Sequence, residues 1–298
     1  MPAGQRPLIR RRLRTELRQE RERAGKSQAE VARKMEWSPS KIIRLEAGQV
    51  GVSTNDLKAL LDLYDVTDAK RRDELIGLAR ADRQQSPWWT SYRDLVPSGE
   101  YLDYLGYETD ATALKAYYST YCPALLQTED YAREIIRSGG ADKIDEDKVD
   151  RLVELRMARK QHALDRDDPP TIHALFDEAA LRRVIGGADV MSDQITSIAD
   201  VASQPDITVQ VVPFSAGSHP GLGGAFQIIY FADPLDPPVM QFDSSPRDVV
   251  LRDNPAQLAR FETAFEDLRK IALSEEDSVA FIRQIAEEML AMEDTESD

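Results

Sequence analysis

Helix start and stop signals follow one another so closely between Gly25 and Thr54 that this stretch has room only for short helices. Gly25 stops an arginine-rich helix, predicted over 10–24, in which Leu13 and Leu17 recur at helical spacing. Ser27 followed three residues later by Glu30 is a capping-box pattern, which satisfies orphan amide donors at a helix start. The short second helix ends near Met35, Trp37 interrupts, and Ser38 opens a third helix with Pro39 in its first position, where a missing N–H costs nothing. That helix is predicted over 39–47, with Gly48 as its left-handed stop. Ser53 or Thr54 caps a fourth helix carrying Leu57, Leu60, Leu61 and Tyr64 on one face, and 64–83 reads as a fifth, densely charged helix. Residues 1–83 are thus expected to form a five-helix bundle preceded by a loose arm over 1–7.

The charge of the chain divides at the same place. The whole protein carries −15. Residues 1–83 hold 19 Lys and Arg against 13 Asp and Glu, a surplus of +6, which leaves 19 against 40, or −21, for the remainder. A basic head on an acidic body suits a protein of which one end meets phosphate while the rest avoids it. No apolar run approaches the ~18 residues that a membrane-spanning helix needs. One cysteine, Cys122, excludes a disulfide framework, so the expected compartment is the reducing cytosol, with the chain associated with the nucleoid.

The second helix, the turn at Trp37 and the third helix together make a helix-turn-helix. On the third helix Ile42 and Leu45 are expected to face the core, whereas Ser40 and Arg44, four apart, share the opposite face, with Ser38, Pro39 and Lys41 at its leading edge. That face is what a major groove would meet: Arg44 to fork onto guanine, Ser40 to bond a base edge or phosphate, and Lys41 to serve phosphate. Gln28 opens the second helix, where amides and dipole attract a phosphate. Arg10, Arg11 and Arg12 form a basic cluster suited to the DNA backbone or a minor groove. Ile43 reads as semi-buried or as a contact for a thymine methyl.

Beyond a polar linker at 84–87, residues 88–140 read as paired, tyrosine-rich helices, with Tyr101, Tyr104 and Tyr107 continuing through Leu114, Tyr117 and Tyr118. Two more helices are expected over 125–136 and 146–164. Short apolar runs at 171–176, 207–214, 226–231 and 239–242 read as strands, with helices between the first two, and two helices over 255–272 and 275–292 close the chain. The fold class is therefore multidomain, mainly α with an α/β part: an N-terminal five-helix bundle over 1–83, then an effector- or partner-binding and dimerisation domain over 84–298. The latter divides into a helical region, 88–165, and an α/β region, 170–298, with a small mixed sheet.

In this second domain His219, in a glycine-rich loop after a strand, with Asp177, Glu178 and Arg182, marks the place where α/β folds tend to hold ligands. The loop GSHPGLGG lacks phosphate-loop spacing and reads as a tight connection. Glu178, at a helix start, suits the helix dipole better than a general base. His162, His173 and His219 show no metal-ligand spacing, so neither a metal nor a cofactor is expected. Cys122 reads as a small buried hydrophobe, and the tyrosines over 101–121 either line an effector pocket or form core.

The stretch LRQERERAGKSQAEVARKMEWSPSKIIRLEAG, 17–48, resembles the helix-turn-helix of the Cro/cI or xenobiotic-response-element (XRE) repressor class. That resemblance matches Gln28 to a glutamine of the class and implies base-reading positions at Pro39, Ser40 and Arg44, and a structural arginine–glutamate pair at Arg21 and Glu46. Proline at position 39 departs from the pattern, because it offers only apolar contact. With the segments CPALLQTEDYA, FDEAALRRVIGG and VPFSAGSHPGLGGAF, nearly the whole chain resembles WhiJ-like, antitoxin-like regulators. Such proteins join an XRE-type head to a large uncharacterised domain and are often encoded beside a small acidic partner protein.

These readings converge on a sequence-specific DNA-binding regulator, a repressor and homodimer, controlled through its second domain by a small-molecule effector or an acidic protein. The alternative is an antitoxin-type interaction protein that binds a co-encoded partner and uses DNA binding for autoregulation. An enzyme is not expected, for want of a nucleophile–base or metal constellation.

Overall fold

The computed structural model describes residues 6–47, 50–84, 87–96, 99–139, 145–245 and 248–296. The chain divides into two compact units, Met1–Thr90 and Ser91–Asp298. The stop at Gly48, the polar pair 85–86 of the linker, and most of the arm over 1–7 lie outside the described residues.

The first unit is five helices: α1 (Arg6–Arg23), α2 (Gln28–Lys34), α3 (Pro39–Glu46), α4 (Thr54–Leu63) and α5 (Ala69–Gln84). The start signals act as their chemistry requires. Ser27 and Glu30 form both arms of a capping box on α2, and Ser53, rather than Thr54, caps α4 by accepting from the Asp56 amide at 2.9 Å. Ser38 caps α3 by position alone, without a side-chain bond to the backbone. Leu13 and Leu17 of α1, Val31 of α2, Ile42 and Leu45 of α3, Leu57, Leu60 and Leu61 of α4, and Leu75 of α5 close into one core. α1 begins at Arg6, four residues before the expected start, so the basic run lies inside a helix.

The second unit is a six-stranded mixed sheet with helices on both faces. Its elements are α6 (Gly99–Asp110), β1 (Ala113–Tyr118), α7 (Glu129–Ser138), α8 (Glu146–Leu164), β2 (Thr171–Asp177), α9 (Glu178–Arg182), α10 (Gly187–Val201), β3 (Ile207–Val212), β4 (Phe226–Tyr230), β5 (Val239–Ser245), β6 (Asp248–Arg252), α11 (Pro255–Ile271) and α12 (Glu275–Glu296). The strand order is β3-β2-β1-β4-β5-β6, with β1, β2 and β3 parallel and β4, β5 and β6 antiparallel.

One expectation is corrected. Residues 113–118, expected to continue a tyrosine-rich helix, form the central strand β1. Leu114, Tyr117 and Tyr118 continue the helical spacing of α6 by coincidence, whereas aromatic residues in a short run equally suit a buried strand. Because successive strand residues point to opposite faces, Tyr117 and Tyr118 part company. Tyr117 joins Phe226, Met240 and Phe265 in the core under α11. Tyr118 faces the other side, where α6 and α8 lie. Strand β6 is an addition that the sequence reading did not contain.

Candidate nucleic-acid interface and an interior cavity

The helix-turn-helix is held by one carboxylate. Glu46, at the last turn of α3, accepts from Arg21 Nε at 2.6 Å, from Arg21 Nη2 at 3.0 Å and from Gln28 Nε2 at 2.8 Å. A third guanidinium nitrogen, Nη1, donates to the Lys26 carbonyl at 2.8 Å. Three helices and the turn after α1 therefore converge on Arg21 and Glu46, and the bond to Glu46 raises the arginine's pKa. Gln28, expected to meet phosphate, is thus also a strut between α2 and α3.

With its inner side fixed, α3 presents an outer face. Ser38, Pro39, Ser40, Ile43 and Arg44 are exposed, Ile43 at 52%, while Ile42 and Leu45 are buried. Ile43 is therefore not semi-buried. Arg44 Nε donates to the Ser40 carbonyl one turn back at 3.3 Å, and the Ser38 and Ser40 hydroxyls lie 3.1 Å apart. An arginine, two hydroxyls and an isoleucine along one exposed edge are a donor–acceptor set of the kind that base edges, phosphates and thymine methyls require. Lys41 is engaged within the unit: its Nζ pairs with Asp56 at 3.2 Å and sits 3.8 Å over the Trp37 ring.

The basic cluster at Arg10–Arg12 is not a free arm. Consecutive helical residues are about 100° apart around the axis, so three adjacent arginines cannot share a face. Arg11 is buried, at 4% exposure, Arg12 is half-buried, and Arg10 lies 3.3 Å from Asp82 of α5.

The residues singled out in the second unit come together only in part. Asp177 accepts from the Tyr117 hydroxyl at 2.6 Å and lies 3.6 Å from His219 Nε2. Glu178 and Arg182 are bonded to each other at 2.6 Å. Glu178 also accepts from the Phe214 amide at 2.8 Å, and Arg182 reaches Glu288 of α12 at 2.8 Å, so both serve as fastenings. Pro220–Gly223 is a 3-10 turn seated on Tyr117, as a tight connection should be. Among the described residues no group of three or more His, Cys, Asp or Glu is placed to hold a metal ion. Cys122 is fully buried and its thiol pKa is pushed up to about 12 by burial, so it stays protonated.

The notable cavity lies elsewhere, on the face of the sheet opposite α11. A partly open cavity of about 80 Å³ lies between α6, α8 and the strands β1, β4 and β5, lined by Tyr101, Tyr104, Tyr118 and Tyr121, by Arg156 and Arg159, and by Gln227, Gln241 and Asp243. Arg159 is neutralised by a forked pair with Glu108, and its Nη2 donates to the Tyr104 hydroxyl at 2.6 Å. Asp243 accepts from the Tyr121 hydroxyl and from Gln241 Nε2, each at 2.7 Å. Arg156 is different: among the described residues its one hydrogen bond, at 2.9 Å, goes to the neutral oxygen of Gln127, and burial lowers its pKa. The sequence reading missed this set apart from the tyrosines. Its signal was present in the glutamines of FQIIY and VMQF, polar residues that interrupt apolar strands and that pair in register, Gln227 opposite Gln241.

Comparisons with known proteins agree with this division. A helix-turn-helix domain model matches residues 12–75, and the model described as a domain of unknown function (DUF5753) matches residues 101–284. No curated protein and no solved structure matches the chain. No helix among the described residues is long and apolar enough to cross a membrane. With well over half of its length inside the second match, the chain belongs to the family defined by this domain of unknown function (DUF5753), and it carries a DNA-binding helix-turn-helix domain at its head.

Proposed function

We propose that this chain is a sequence-specific transcriptional regulator of XRE type that represses its targets as a homodimer at the nucleoid, and that it is not an enzyme. The observation that supports this most directly is the exposed edge Ser38, Pro39, Ser40, Ile43 and Arg44 on a helix whose opposite side is fixed by Glu46. A reading helix must be rigid to select bases, and α3 is fastened to both α1 and α2. Its eight residues contact too few base pairs to be selective alone, which favours a dimer on a two-fold site. The acidic second unit serves as the receiving part, its charge keeping it off the duplex, and its cavity favours a small ligand over an acidic protein partner as the signal.

The test is selection of genomic fragments by the full-length protein at physiological salt, with Arg44→Ala in parallel. Enrichment of a shared two-fold motif by the parent and its loss in the variant support the reading. Failure of the parent to enrich any motif overturns it.

A further inference from the structure

The cavity under α6 and α8 has an unequal charge arrangement. Of its two guanidinium groups, Arg159 has Glu108 as a forked partner, whereas Arg156 has no carboxylate within ion-pair distance among the described residues. A half-buried guanidinium that faces Asp243 only beyond ion-pair distance leaves room for a direct counter-ion. A second donor points the same way. Gln227 is 3% exposed, its Oε1 lies 3.3 Å from the Tyr104 hydroxyl, and its Nε2 has no hydrogen-bond partner among the described residues. Buried polar groups are nearly always satisfied, so an orphan amide donor that lines the same cavity as a guanidinium without an ion pair is a mark of an absent acceptor.

We propose that the cavity binds a small monocarboxylate with an apolar body. The carboxylate oxygens accept from the Arg156 guanidinium and from Gln227 Nε2, and the body lies against the rings of Tyr101, Tyr118 and Tyr121. Among the described residues Arg156 has Asp243 as its counter-charge, but not within ion-pair distance, so its guanidinium can take one carboxylate directly. Asp243, exposed and already holding two donors, repels a dianion such as phosphate. The volume also limits the ligand: at roughly 10–15 Å³ for each water, 80 Å³ has room for a handful of waters or a short or single-ring acid. That this ligand sets DNA affinity rests on the regulator reading above; that it binds does not.

The full-length protein is heated in the presence of butyrate or benzoate, and of butyramide or benzamide at matched ionic strength, while its melting temperature (Tm) is followed. At least one acid is expected to raise Tm while its amide leaves it unchanged. Arg156→Leu should weaken the acid's apparent affinity roughly tenfold to a hundredfold, the loss expected for a charge-assisted fork. Its Tm without ligand should equal or exceed the parent's, since a half-buried guanidinium without an ion pair gives way to an apolar side chain. Arg156→Lys should retain a weaker response. The proposal is overturned if neither acid shifts Tm, if the amides act as well as the acids, if Arg156→Leu responds like the parent, or if that substitution lowers the ligand-free Tm. None of these readings involves DNA, so failure here leaves the fragment selection untouched.

Discussion

Arg21 of α1 and Glu46 of α3, 25 residues apart in sequence, meet in a two-pronged ion pair at 2.6 and 3.0 Å, and the same carboxylate takes the side-chain amide of Gln28. The geometry of α3 is therefore set by side chains on its inner side, opposite the exposed edge of Ser40, Ile43 and Arg44.

Glu46→Gln should cost about 3 kcal/mol, because it takes the two-pronged counter-charge from a buried guanidinium and leaves it only the exposed Glu22, 3.5 Å away. Urea titration followed by amide exchange in α1, α2 and α3 measures this. Arg21→Met combined with Glu46→Leu should recover most of the loss, since replacing both partners removes the unpaired charge.

Arg44→Ala should leave stability unchanged and lower specific affinity by ~1–3 kcal/mol, with relaxed preference at one base position. A full set of single-base operator variants reads that position. Unaltered preference would dismiss Arg44 as a base reader.

Arg10→Ala is expected to act on the fold rather than on phosphate. Its partner Asp82 is buried and loses a neighbouring charge, so the first unit should weaken by about 1 kcal/mol. The slope of log affinity against log salt should stay as in the parent; a slope lowered by about one would instead make Arg10 a phosphate contact.

Asp110, at the C-terminal end of α6, has a buried Oδ2 without a partner, and burial raises its pKa from 3.8 to about 7. Arg166 opposes the rise and Asp236 adds to it. The protonated form is favoured in the folded state, so its stabilisation is complete below pH 3.8 and disappears as pH climbs through about 7. Asp110→Asn should flatten this dependence, raising Tm at pH 8 while leaving it unchanged at pH 3.5.

Gly221→Ala should destabilise the second unit by about 1–3 kcal/mol, because a Cβ there would run into the Tyr117 ring that holds Asp177. Gly223→Ala, two residues on, meets nothing within 4 Å and should be near neutral. Thermal melts of the two variants give the contrast.

What the sequence revealed was governed by local chemistry. Ser27, Glu30 and Ser53 announce helix starts because a side chain satisfies amides two or three residues away, and each does so here. The inner and outer faces of α3 follow from the helical period alone. Strand β1 was misread because its spacing also fits a helix, and only the neighbours β2 and β4, distant in sequence, decide the matter. The exposure of Arg10–Arg12 was misjudged for a related reason: charge counts say nothing of the face on which each residue falls. The cavity was hidden because its donors come from α8, β4 and β5, and an unpaired arginine is recognisable only once its surroundings are known.

The position of β1 also bears on how the second unit acquires its structure during synthesis. Thr112, at the head of this central strand, is bonded to the Tyr230 carbonyl 118 residues further on. On one side, β1 gains β2 once α7 and α8 have emerged; on the other, its hydrogen-bonding edge stays open until the chain has passed β4. A nascent chain halted before Tyr230 thus displays an unpaired and largely apolar central strand, the kind of edge that recruits foreign strands. Folding of this unit is accordingly slow and governed by distant closure, and the vulnerable species is the incomplete chain rather than the finished one.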